Sequence, residues 1–209
     1  QEYFAMSISQ RIIFLIAVAM ACLAVLVGVG HVQMSRVYDQ ANYGNEHIVP
    51  TMETLHRAVT SFDQIRVLML YHILSSHMEV GEVDIKAEIQ KKIDEAFTQT
   101  KQALKDYESR LSNEEDRQLL EADRAALEEY KKSIAPALSA SNEYRTDAAM
   151  EEVNKAAEAP RKLMEALAAH IRFNTNLGNG EADKAETAKS TSAMVSITVL
   201  LTALVILGG

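Results

Sequence analysis

The sequence predicts an all-α protein, an antiparallel up-down-up-down four-helix bundle flanked by two transmembrane helices. Three observations predict it. Two uncharged runs, "IIFLIAVAMACLAVLVGVG" (12–30) and "STSAMVSITVLLTALVILGG" (190–209), bracket the chain. Every acid but Glu2 and every base but Arg11 lies between them, so the formal charge of −8 belongs to the middle. That middle is poor in Gly and Pro, and its apolar residues recur at alternating three- and four-residue spacing.

Each run is long enough to cross the ~30 Å of hydrocarbon that about 20 helical residues span. The first run is too long for the ~7–15-residue apolar region of a signal peptide, and Arg11 is its whole basic flank. Residues 1–11 are then a short cytoplasmic segment or an expression remnant, and "QEYFAM" carries no weight. Residues 12–30 form the first span, 31–189 the soluble domain and 190–209 the second span. Loop charge does not decide orientation, because the middle is too long to obey the positive-inside rule. The single cysteine, Cys22, falls inside the first span, so the soluble domain has no disulfide. An acidic domain with no basic cluster excludes nucleic acid as a partner.

The first bundle stripe is Ile48, Met52, Leu55, Val59, Phe62, Arg66, Met69 and Ile73, on a helix from about 32 to 77. "SSHMEVGEVD" ends it, with Gly81 as the turn residue. The second stripe is Ile85, Ile89, Ile93, Ala96 with Phe97, Thr100, Leu104, Tyr107 and Leu111. "LSNEED" stops it, and Ser112 with Glu115 fits a capping box that starts the third helix. Leu120, Leu127, Tyr130, Ile134 and Leu138 make the third stripe, which fades in "SASNEYRTD". Met150, Val153, Ala157, Met164, Leu167, Ile171 and Asn174 make the fourth. Pro160 should kink or restart that helix. Gly178 and Gly180 each disfavour its interior by about 1 kcal/mol, so it bends there or packing overrides propensity.

No catalytic constellation stands out, and no cofactor or metal is expected. "ETLH" (53–56) is a single Glu-x-x-His, whereas di-iron bundles need two plus further glutamates. No Cys-x-x-Cys-His haem attachment run occurs. The glutamates and lysines of "EEDRQLLEADRAALEEYKK" (114–132) read as a solvated face with i,i+4 pairs. What remains is "SFDQIRVLMLYHIL" (61–74), an apolar helix that carries Arg66 on its seam. A buried guanidinium requires an anion. That anion is either a protein carboxylate, such as Asp63 or Asp94, or a ligand. Val67, Leu68, Leu70 and Leu74 lie off that seam and need cover from another helix or a second subunit.

The layout resembles a known family: two spans around a roughly 160-residue bundle whose long first and fourth helices enter the membrane. "NEHIVPTMETLHRAVTSFDQIRVLML" is similar to the family's first helix, with its Pro and the Ile65-Arg66 pair. "EEYKKSI" and "RFNTNLGNGEADKAETA" are similar to its third-helix tyrosine and its Asn/Ala-rich fourth helix. The family is the four-helix-bundle sensor domain of bacterial methyl-accepting chemotaxis proteins. The resemblance implies a periplasmic domain on the bacterial inner membrane, a homodimer, and a small-molecule carboxylate or amino-acid ligand. It also implies relay through the second span to a cytoplasmic coiled coil with its kinase and adaptor. Those signalling parts are expected beyond Gly209. The alternatives are the input domain of a sensor histidine kinase or cyclase, a membrane-anchored helical enzyme or redox protein, and a ligand-free dimerisation stalk.

Register counting places Arg66 level with Asn154 on the fourth helix, near Asp94 on the second and Tyr130 on the third. The small residues of "NKAAEAP" (154–160) leave room there for an anion. The ligand-site candidates are therefore Arg66, Tyr130, Thr100 and Asn154, with Arg57 nine residues before Arg66. The three arginines of aspartate-type receptors, spaced five and four apart, are not reproduced, since Tyr71 and Ser75 stand at those offsets. The expected ligand is an organic acid.

Overall fold

The computed structural model describes residues 7–75 and 85–208, and these are helical almost throughout, with no strand among them. Gly81 and the rest of 76–84 lie outside the described residues. The chain forms two compact units, one of Gln1–Glu46 with Gly178–Gly209, the other His47–Leu177.

In the first unit, helix α1 (Ile8–Tyr43) starts at a complete capping box. Ser7 Oγ accepts from the Gln10 N–H, and Gln10 Oε1 accepts from the Ser7 N–H, which satisfies two donors a helix start leaves open. Ile12, Ile13, Phe14, Leu23 and Val25 of this helix are all exposed. Among the described residues, this is the one helix long and apolar enough to cross a membrane, and none of its apolar window is buried. The unit's other segment, residues 178–208, is helical and exposes Met194, Ile197, Leu200, Leu201 and Val205. Gly178 and Gly180 do not interrupt it.

The second unit is the bundle. Its first helix, α2 (Val49–Leu74), follows a single π turn over Gly44–Ile48. Pro50 in its first turn explains the widening, because proline has no N–H to offer the Glu46 carbonyl. Helix α3 (Ile85–Tyr107) runs into a short 3-10 turn, and α4 (Glu114–Asn142) follows. Ser112 and Glu115 do not cap α4. Asn113 is the N-cap, and its Oδ1 accepts from the Asp116 N–H at 3.0 Å. The cap sits one residue later than expected because Asp116 then turns back onto Ser112.

The fourth position of the bundle is held by two helices. Helix α5 (Thr146–Lys155) ends at a turn over Ala156–Ala157, and α6 (Glu158–Gly208) begins at once. Pro160 lies in the first turn of α6, where no intrahelical acceptor awaits its missing N–H. The turn before α5 holds Tyr144 in the left-handed region at φ 59°. There the Arg145 N–H bonds the Ala140 carbonyl, in the six-residue closure that usually ends a helix with glycine.

The core corrects two of the expected stripes by one residue. On α2, Leu55, Ala58, Phe62, Ile65, Met69 and Ile73 are buried. Ala58 and Ile65 take the places expected for Val59 and Arg66. The earlier phase puts an isoleucine into the dry seam and leaves the guanidinium wet, avoiding several kcal/mol of ion desolvation. On α6 the buried line is Ala159, Leu163, Leu167, His170 and Asn174, so Leu163 and His170 replace Met164 and Ile171. The α3 line is as expected, with Ile89, Ile93, Ala96, Phe97, Thr100, Leu104 and Tyr107 buried. Val67, Leu70 and Leu74 of α2 stay 64%, 47% and 58% exposed.

This phase is directly testable. Ile65→Ala should cost about 2–5 kcal/mol. Arg66→Ala should cost no more than about 1 kcal/mol, the range of an exposed ion pair. Denaturant unfolding of both variants checks it, and the reverse order would restore the expected seam.

Candidate ligand cleft and two buried polar clusters

Arg66 lies at the rim of a cleft of about 490 Å³ between α2, α4 and the α5–α6 joint. Its walls include Leu70 from α2, Tyr130 and Ile134 from α4, and Val153, Asn154, Ala157 and Pro160 from the joint. The joint makes the room: its alanines and proline stand where larger side chains would fill the space. Arg66 is 52% exposed and donates to Asp63 Oδ1 at 3.1 Å, one turn earlier on the same helix. Asp94 is not its partner. That carboxylate accepts from Gln90 instead. An exposed i,i+3 pair contributes roughly 0–1 kcal/mol, so an incoming carboxylate can replace Asp63 at little cost.

Tyr130 is fixed beneath the cleft by an edge-on contact with Phe62 at 5.2 Å and a tilted one with Phe97 at 5.9 Å. Burial pushes its phenol up to about 12, with the Arg66 charge pulling the other way. The hydroxyl therefore keeps its proton across the physiological range. Of the expected site residues, the structure brings together Arg66, Tyr130 and Asn154. Thr100 lies outside the cleft: it is buried in the core and its hydroxyl donates to the Ala96 carbonyl at 2.9 Å. Arg57 also lies outside, two and a half turns or ~13 Å along α2. It pairs with Asp106 of α3 at 3.1 Å beside a separate shallow groove with His56, Thr60 and Gln102.

Two buried polar clusters were not expected. At the end of the bundle where α2 begins, Asp116, Asp123, His170 and Asn174 are fully buried. His170 Nε2 lies 2.9 Å from Asp116 Oδ1, and its Nδ1 lies 2.5 Å from Asp123 Oδ2. The Tyr107 hydroxyl donates to Asp116 Oδ1 at 2.6 Å, and Asn174 Nδ2 donates to the Tyr107 oxygen at 2.7 Å. The Ser112 N–H and hydroxyl both donate to Asp116 Oδ2 at 2.8 Å. The glutamates and lysines of residues 114–132 are exposed, as expected, whereas the aspartates Asp116 and Asp123 are buried. Asp116, Leu120, Asp123, Leu127, Tyr130 and Ile134 continue one four-three stripe, so these two acids lie on the core line. That spacing was the available signal.

At the other end, Lys86 is buried and its ammonium donates to the His72 carbonyl (2.9 Å), the Ser141 carbonyl (2.7 Å) and Ser141 Oγ (2.8 Å). The Tyr144 ring faces the same ammonium at 5.1 Å. A cation here serves the C-terminal carbonyls of α2 and α4 together, where helix dipoles favour positive charge.

The described residues thus form an all-α bundle with a small cleft at a helix joint. Residues 5–188 match the four-helix-bundle sensory module for signal transduction, and the chain belongs to that family. The family gives the chain a sensory role in signal transduction. No curated protein and no solved structure gives a significant match.

Asp116 also sets an acid limit. Burial alone would raise its carboxyl, but hydrogen bonds from His170, Tyr107 and Ser112 outweigh burial and hold it at about 2. Its contribution is then complete above the ordinary 3.8 and disappears as pH falls toward about 2. Thermal unfolding against pH should show that loss, and Asp116→Asn should flatten it while lowering the midpoint at pH 7.

Proposed function

We propose that this chain is the ligand-binding part of a transmembrane chemoreceptor that takes a small carboxylate in the cleft beside Arg66. The observation that carries the reading is the pairing of one accessible guanidinium with an otherwise mostly apolar cleft. Arg66 meets the carboxylate, the phenol of Tyr130 and the amide of Asn154 orient it, and Leu70, Ile134, Val153 and Pro160 cover its body.

The charges narrow the class. Asp63 stands on the same wall as Arg66, and a second ligand carboxylate would be repelled by it. A monocarboxylate with an apolar body fits, as does an amino acid whose ammonium faces Asp63. Di- and tricarboxylates fit less well than the arginine alone suggests.

The rest follows the family. The bundle stands in the periplasm between two inner-membrane spans, and the second span relays binding to a cytoplasmic signalling region with its kinase and adaptor. Leu74, exposed and outside the cleft lining, supports a homodimer formed along α2. A ligand bridging Arg66 and the α5–α6 joint would pull on the first turn of α6, the helix that leads to the second span.

Calorimetric titration of the full chain in lipid nanodiscs tests the site, with panels of mono-, di- and tricarboxylates and amino acids. Members of the apolar monocarboxylate or amino-acid panel should bind. Charged hydrogen bonds contribute about 1.5–3 kcal/mol, so Arg66→Ala should weaken that binding roughly 10- to 100-fold. Arg57→Ala should leave it within about twofold. Absence of heat with every panel, or full affinity in Arg66→Ala, sinks the proposal.

A further inference from the structure

We infer that the Asp116–His170–Asp123 cluster is a proton-binding site, and that its occupancy sets how firmly α6 is held in the bundle. This is independent of the ligand cleft, which lies at another level of the bundle and uses none of these residues.

The argument starts from proton counting. A neutral imidazole has one N–H, and its other nitrogen is an acceptor. Both ring nitrogens of His170 face carboxylate oxygens within hydrogen-bond distance. Two acceptors face each other on one side unless an extra proton is present. Asp116 does not carry it, because both its oxygens already accept from Tyr107 and twice from Ser112. The proton therefore lies on the His170–Asp123 line. Asp123 Oδ1 has no hydrogen-bond partner among the described residues, so the short contact through Oδ2 is what neutralises that buried carboxylate.

The surroundings make the proton expensive to lose. His170, Asp116 and Asp123 have no solvent exposure. Removing the proton leaves two carboxylates against a neutral ring in a dry site. Burial pulls His170 down, but the hydrogen bonds and charges of Asp116 and Asp123 outweigh it and hold the ring above its ordinary 6.5. At Asp123 burial acts the opposite way and raises the carboxyl, with the bond to His170 pulling against it. Tyr107 of α3 is pushed up by burial and by its bond to Asp116, and stays protonated throughout. From α2, Thr51, Thr54 and Leu55 are buried at this end. Asn174 completes the α6 side.

The mechanical consequence follows from which helix owns which group. Asp116 and Asp123 belong to α4 and Tyr107 to α3, whereas His170 and Asn174 belong to α6. The imidazolium is the charged tie between α6 and the rest of the bundle. Its stabilisation is complete below about 6.5, the unfolded-state value. It is lost as pH rises through the elevated folded value. Rising pH then loosens α6 at this end, which makes the proton a second input to the same helix.

The test uses the full chain in nanodiscs with nitrogen-15-labelled histidine. His170 is the signal removed by His170→Gln and moved by Asp123→Asn. At pH 7 both its ring nitrogens should be protonated, and they should titrate above the ordinary 6.5. Amide exchange across residues 163–177 should rise in the same pH interval. Asp123→Asn nearly preserves shape but removes one counter-charge, so it should lower the proton affinity at least tenfold and shift the exchange transition with it. His170→Gln should abolish the transition, and if that variant does not fold, the Asp123→Asn shift decides. A neutral His170 at pH 7, or an exchange profile unmoved by Asp123→Asn, overturns the inference.

Discussion

Ile65 is fully buried while Arg66 is half exposed, and that one-residue offset on α2 orders the structure around it. With Ile65 in the seam, Phe62 and Met69 fall one turn to either side and meet α3 and α4. Arg66 then stands at the rim, where it touches water, Asp63 and the cleft together. Val67 and Leu70 join Arg66 in the cleft lining. A phase one residue later would bury a guanidinium in the core, and the cost of desolvating it exceeds what one isoleucine side chain contributes by burial, about 1.5–3 kcal/mol.

The two ends of the bundle solve a different problem. Helix ends leave carbonyls and N–H groups unsatisfied, and burying them requires partners. At one end Lys86 supplies a cation to the C-terminal carbonyls of α2 and α4. At the other, Ser112 and Asn113 tie the start of α4 to Asp116, and Asp116 passes the connection to His170 on α6. Both clusters are polar, dry and specific in geometry, so they fix the register of helices that greasy side chains alone would let slide.

The α5–α6 joint links these parts to the cleft. Its two-residue turn interrupts the fourth strand of helix where a continuous helix would have packed against Arg66 and Tyr130. Pro160 makes the interruption tolerable on one side, and Ala156 and Ala157 keep it small. The result is a space beside a wet arginine, held by a short helix that a two-residue turn joins to α6.

The four packing positions of the bundle, the α3 core line and the apolar run of α1 were legible in the residues themselves. Period and composition report them, because burying an apolar stripe does not depend on knowing what covers it. That Arg66, Tyr130 and Asn154 fall at one level was also legible, since height along a helix is simple counting and the two-residue turn at Ala156–Ala157 hardly changes it. The phase of α2 was not: Met52, Val59 and Arg66 make as regular a stripe as Ala58 and Ile65, and only the fit against α3 and α4 chooses between them. Asp116, Asp123 and His170 were hidden for the same reason, since an acid on a stripe looks like a solvated face until its partner arrives from a helix some fifty residues away. Sequence alone determined which segments are helices and which faces are apolar, because those are local properties of the chain. Tertiary structure decided which of two adjacent faces is dry and which charges meet in it, because desolvation depends on neighbours that the chain brings together only by folding.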